Sequence, residues 1–240
     1  MDIFLVLIII LISFIQSIFG VGVLLFGTPF LIIMDHSFIN ALSILLPISI
    51  AINFLQIKKH YIYIDFIFYK RFLLIAIPMV VLFLSVGVTE KFNIRLLIGL
   101  LLIIISIKSY SSTVAHLMKF IYKYEWVSLL ITGIVHGLTN LGGALLSAMI
   151  YGQETEKHKI RVTIALCYLT FAVVQMITIF FLFEKFNFSI ISNFIYIIIG
   201  IIIFALSAKY IYKKIESEKY SDILSLLLLI TGLLLTIKFI

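Results

Sequence analysis

The sequence predicts an all-α polytopic membrane protein made of two inverted repeats of four hydrophobic segments, each opening with a broken or re-entrant helix. Three observations lead there. The chain is 63% hydrophobic and only 12% charged. Its charge-free residues fall into eight runs. The first run of each half is too long for a single crossing and carries glycines near its centre.

Composition comes first. A soluble chain of 240 residues with a mean hydropathy of +1.26 has no way to hide its apolar surface, so lipid must act as solvent for much of it. The first apolar run lacks a basic leader and a small-residue cleavage site, so it is expected to be retained. The net charge of +7 comes from Lys and Arg between apolar runs. That placement fits cytoplasmic loops and anionic headgroups, and no nucleic acid is expected as a partner. The single cysteine, Cys167, excludes an internal disulfide and reads as a small buried hydrophobe. No cofactor and no metal site are expected. "KKHYIYIDFIFYKR", Lys58–Arg71, reads as an interfacial aromatic belt.

The eight runs are Ile3–Met34, Ser37–Ile57, Phe72–Thr89, Leu96–Ile107, Trp126–Gln153, Val162–Phe183, Phe186–Ala208 and Ile223–Ile237. About 20 helical residues span a hydrocarbon core. The first run has 32 residues and the fifth has 28. A continuous helix of the longer one would reach about 48 Å, well beyond a core of roughly 30 Å.

A shift of 120 residues aligns the two long runs. "QSIFGVGVLLFGTP" (Gln16–Pro29) then lies over "HGLTNLGGALLSAM" (His136–Met149). Gly22 falls on Gly142, Leu25 on Leu145, and Gln16 on His136. The expected organisation is one transmembrane transporter domain, 1–240, with repeats at 1–120 and 121–240. Charge supports the hairpin form of each long run. Eight simple crossings divide the 18 basic residues nine to nine between the two faces. Two hairpins divide them fourteen to four, and cytoplasmic loops normally hold the Lys/Arg excess.

The interruptions are also the candidate site. A helix in lipid breaks only where protein or a water-filled cavity satisfies its backbone. The freed N–H groups at a half-helix N-terminus favour an anion. Gly20, Gly22, Gly142 and Gly143 allow close approach to the backbone, and Pro29 ends one run of amide donors. Thr28 stands beside that proline. Thr139 and Asn140 are candidate donors to an oxyanion. His136, one turn before Asn140, is a hydrogen-bonding group able to carry a proton. Gln16 is its counterpart, and Asn53 and Gln175 lie deep in the second segment of each half. Each of these polar residues also has a plainer reading, as an interhelical hydrogen bond or a cap on broken backbone. Gly99, Gly200 and Gly232 read as helix-packing positions. No run carries Asp, Glu, Lys or Arg in its middle, so no carboxylate relay or buried arginine clamp is expected there.

"FGVGVLLFGTP" resembles the glycine-rich, proline-terminated first segment of the sulfite exporter TauE/SafE family. "GIVHGLTNLGGALL" is similar to the opening of its second repeat. The resemblance covers essentially the whole chain. It implies an integral inner-membrane protein that moves sulfur-containing anions such as sulfite, sulfoacetate or other organosulfonates. Val21 and Val23 depart from the richer glycine pattern, and the second repeat has Ala148 and Met149 where a proline is expected.

The expected function is therefore export of a small anion, most concretely sulfite or an organosulfonate, by a multi-pass protein of the cell (inner) membrane. The alternative is a membrane scaffold or assembly subunit without transport. An enzyme is not expected, because the runs hold neither a nucleophile–base pair nor paired carboxylates. The expected partners are a small anionic substrate and the lipid bilayer, with a homo-oligomer left open.

Overall fold

Asp2 starts the first helix by accepting a hydrogen bond from Phe4 N at 2.9 Å, and Gly20 ends it in the left-handed conformation at φ 72°. The computed structural model describes residues 2–89, 94–107, 111, 123–153, 156–182, 190–210 and 217–239. Within them the order is α1 (Ile3–Phe19), α2 (Val23–Ile33), α3 (Phe38–His60), a short 3-10 turn (Tyr61–Tyr63), α4 (Phe66–Thr89), α5 (Ile94–Ile107), α6 (Glu125–Thr139), α7 (Gly142–Gln153), α8 (Lys157–Leu182), α9 (Ile190–Tyr210) and α10 (Ser217–Phe239).

Three of these contain stretches long and apolar enough to cross a membrane: Phe38–Lys58, Phe66–Gly87 and His158–Leu182. This corrects the expectation of eight hydrophobic segments in two inverted repeats. The protein is all-α, with ten described helices, and only those three meet the length and hydropathy of a span. The physical reason is that a charge-free run records only where charge is missing and does not fix the length of the helix inside it. The first long run becomes α1 and α2, of 17 and 11 residues. The second becomes α6 and α7, of 15 and 12. The other apolar stretches, Arg95–Ile107, Asn193–Ser207 and Ser225–Lys238, are short as well. Lys91, Lys108, Lys119, Lys185, Lys213 and Lys214, which entered the charge comparison, lie outside the described residues.

Small residues set the helix contacts. A Cβ on Gly133 of α6 would lie 2.4 Å from Ala76 O of α4, and one on Gly137 would lie 2.8 Å from Val80 O. Gly99 of α5 and Gly232 of α10 face each other's carbonyls in the same way. Gly200 of α9 packs against Ile48 and Ser13. Close backbone approach at small residues is the usual basis of helix association in lipid.

The outside of the bundle is apolar and its interior partly polar. Leu74, Phe181 and Ile237 are at least 75% exposed, whereas Gln16, Asn53, His136 and Gln175 are at most 1% exposed. That inversion, with several apolar helices, is consistent with a multi-pass membrane protein.

One end of the bundle is tied by charge. Arg71 pairs with Glu125 at 2.6 Å, and Lys159 with Asp65 at 3.1 Å. Asp65 also caps α4 by accepting from Ile67 N at 3.1 Å and Phe68 N at 3.0 Å. Elsewhere, Lys238 near the end of α10 donates to Asp35 at 2.8 Å and to the Ile33 carbonyl, closing the C-terminus of α2.

Candidate functional site

The first interruption is sealed by its own neighbours. Gly20 donates its N–H to Gln16 O at 2.8 Å. The Gln16 side chain then serves both sides of the gap. Its Nε2 donates to Gly20 O at 3.0 Å, and its Oε1 accepts from Val23 N at 3.0 Å. Gln16 Nε2 also reaches Asn53 Oδ1 at 3.2 Å, while Asn53 Nδ2 donates to Ser49 O at 2.8 Å and Ser49 Oγ at 3.0 Å. The polar atoms of Gln16 and Asn53 are thus engaged inside the protein. Gly22 is needed for packing, since a Cβ there would lie 2.7 Å from Gln16 N. Pro29 does not end the helix: it lies inside α2, which continues to Ile33.

The second interruption is built alike. Asn140 takes the left-handed conformation at φ 64° and donates its N–H to His136 O at 2.8 Å. Asn tolerates that conformation better than most residues with a Cβ. Thr139 Oγ1 donates to Val135 O at 2.7 Å and accepts from Leu141 N at 3.2 Å, so the hydroxyl covers the gap. A Cβ on Gly142 would lie 2.2 Å from Thr132 O, and one on Gly143 would lie 2.1 Å from Tyr168 Oη. These two glycines admit α6 and the Tyr168 side chain of α8 respectively, and at Gly142 the nearest atom is backbone, so a larger residue there would force α6 and α7 apart.

A side-chain bond ties the second interruption to the middle of α2. Asn140 Nδ2 donates to Thr28 Oγ1 at 2.8 Å. Beyond it lies a cluster that forms no such bonds. His136 stacks on Phe171, with ring centroids 3.8 Å apart and planes at 17°. Gln175 stands next to His136. Neither His136 ring nitrogen, neither Gln175 amide atom nor Asn140 Oδ1 has a well-formed hydrogen bond, and all five are buried. Leaving a buried polar atom unpaired costs about 1–3 kcal/mol, so such a group needs a reason. Chemically, the Gln175 amide and a histidine N–H can donate, and Asn140 Oδ1 can accept.

The sequence reading named His136 and Gln175, which meet, and Asn140, whose N–H bonds to the His136 carbonyl and whose amide bonds to Thr28. It named Gln16, Asn53 and Thr139, whose polar atoms close the backbone instead. It missed Arg161, Tyr168 and Phe171 of α8. Arg161 donates to Ser17 O, in the last turn of α1, at 2.9 Å. Arg161, Tyr168 and Gln175 are spaced seven apart, which places them on one face of a helix. That spacing was visible in the sequence, but Arg161 sits just before the charge-free run and reads there as a loop charge.

The family described as Sulfite exporter TauE/SafE matches residues 5–235. No curated protein matches, and no solved structure does.

Proposed function

We propose, from the premise that the chain belongs to the sulfite exporter TauE/SafE family, that it carries a small oxyanion, sulfite or an organosulfonate, outward across the cell (inner) membrane. Membership of a transporter family argues against an enzyme. The observation that carries the substrate site is the group of five unpaired, buried polar atoms on His136, Gln175 and Asn140.

The physics of such a site is exchange of hydration. An anion leaving water needs new donors, and a low-dielectric interior strengthens each one it finds. Gln175 and His136 provide them without a fixed charge, so the anion is held but not trapped. The Thr28–Asn140 bond keeps the second interruption in register with α2, and Phe171 sets the plane of the histidine ring. Gly20, Gly22, Gly142, Gly143 and Pro29 shape the interruptions, and Gln16, Asn53 and Thr139 hold them closed. In this reading they support the site from behind. The cell (inner) membrane location follows from the family resemblance.

The test is flux of radiolabelled sulfite, an organosulfonate and unrelated anions in proteoliposomes. Sulfur oxyanions are expected to move, and Gln175→Leu and His136→Leu, each verified as folded, to slow them. Full flux in both variants would remove these residues from the site.

A further inference from the structure

The first interruption holds a second set of unused polar atoms. Gln56, near the end of α3, is 5% exposed, and neither its Oε1 nor its Nε2 has a hydrogen-bond partner. Its amide lies over the gap: a Cβ on Gly20 would sit 3.2 Å from Gln56 Nε2. On the other flank the same Cβ would sit 3.3 Å from Arg161 Cγ and 3.6 Å from Arg161 Nε. An amide and a guanidinium therefore close on the interruption from two sides, near enough to crowd a single methyl on Gly20.

The electrostatics there favour an anion. The C-terminal carbonyls of α1 would repel one, but Ser17 O already accepts from Arg161 and Gly20 O from Gln16. The N-terminus of α2 begins at Val23, and its dipole presents the positive end. A guanidinium adds a permanent positive charge and a planar set of donors suited to an oxyanion. One turn along α3, Asn53 bonds to Gln16 and Ser49, so the next polar layer is self-satisfied.

We propose that Gln56 and Arg161 form a second station for the same class of small oxyanion. It stands about 21 Å along α8 from Gln175, at 1.5 Å per residue over the intervening helix. The station lies at the end of the bundle that carries the Lys159–Asp65 pair. It rests on the transport reading for its ligand, but not on His136 or Gln175. Its role is to receive the anion at the charged end and pass it inward to a site without charge.

The test is equilibrium binding of radiolabelled sulfite to the full chain in lipid nanodiscs, with proteoliposome flux measured alongside. Gln56→Leu keeps the volume and removes an unpaired amide, so its unfolding temperature is expected to match the parent. Binding should weaken by about tenfold, the scale of one hydrogen bond to a charged ligand. The same loss should appear in a Gln175→Leu background. Arg161→Lys should keep more binding than Arg161→Gln. Gln56→Leu binding like its parent, with flux intact, overturns the station and leaves transport standing. Gln56-dependent binding without any flux keeps the station and overturns transport. A parent chain that binds no sulfite overturns both.

Discussion

Asn140 Nδ2 donates to Thr28 Oγ1 at 2.8 Å across 112 residues of sequence. This bond joins the turn after α6 to the middle of α2, and both residues are almost fully buried. Thr28→Val keeps the shape and strands the Asn140 amide. The expected cost is about 1–3 kcal/mol, with slower sulfite flux, while Thr28→Ser stays near the parent. Thermal unfolding in detergent and flux together read this out. Equal stability in the valine and parent proteins would show that the bond holds nothing.

Gln16 and Gln175 are both buried glutamines, yet opposite outcomes are expected. Gln16→Leu strands Gly20 O and Val23 N at the interruption and is expected to destabilise by about 2–4 kcal/mol. Unfolding midpoints measured for the variant and the parent side by side check this.

Gln175→Leu removes two atoms that have no partner, so stability should hold or rise while flux falls. A Gln175→Leu protein that unfolds early and transports normally would reverse the assignment.

Gly142→Ala is expected to prevent folding. The added methyl would lie 2.2 Å from Thr132 O, a backbone atom that cannot turn aside. Yield of monodisperse protein on a sizing column checks it. Normal yield and normal flux would mean that α6 and α7 pack less closely than described.

Asp65 makes stability depend on acid. Partial burial pushes its carboxyl up, but the Phe68 amide, the Lys159 ammonium and the Ile67 amide pull it further down, below its ordinary value of 3.8. The folded state therefore binds its proton more weakly than the unfolded state. The stabilisation is full above pH 3.8 and is lost as pH falls through the lower folded value. The Asp65 side chain is 29% exposed and its partner Lys159 is 32% exposed, so solvent screening keeps the contribution under about 1 kcal/mol. Asp65→Asn should flatten the acid limb of a plot of unfolding temperature against pH. An unchanged limb would show that other carboxylates set it.

What could be read from the sequence follows from what a sequence displays. Local pattern exposed the interruptions, because Gly20, Gly22 and Gly142 stand out in apolar runs. It could not show that Gln16 reaches forward to Val23, or that Thr139 caps Leu141, since the same residues could equally face a cavity. Counting apolar runs gave eight segments because a run needs only the absence of charge, whereas a span also needs a helix of sufficient length, and Ile3–Met34 divides at Gly20 into helices of 17 and 11 residues. The meeting of His136 with Phe171 and Gln175 depends on α6 and α8 both packing against α4, and no residue near His136 in sequence announces it. Arg161 was hidden by its position at the border between loop and helix.

The tie between Lys238 and the end of α2 bears on the order of assembly. Ile33 and Lys238 are 205 residues apart, so a ribosome finishes α2 long before it makes the side chain that closes it. Until then the Ile33 carbonyl must find a temporary partner in water, headgroups or the insertion machinery, while the carbonyls of Phe30, Leu31 and Ile32 already accept from Met34, His36 and Asp35. The newborn chain therefore passes through a stage in which both interruptions can exist while one half-helix remains open at its far end. Docking of α10 is the step that ends that stage, and it must wait until α2 and every described helix between them have been made.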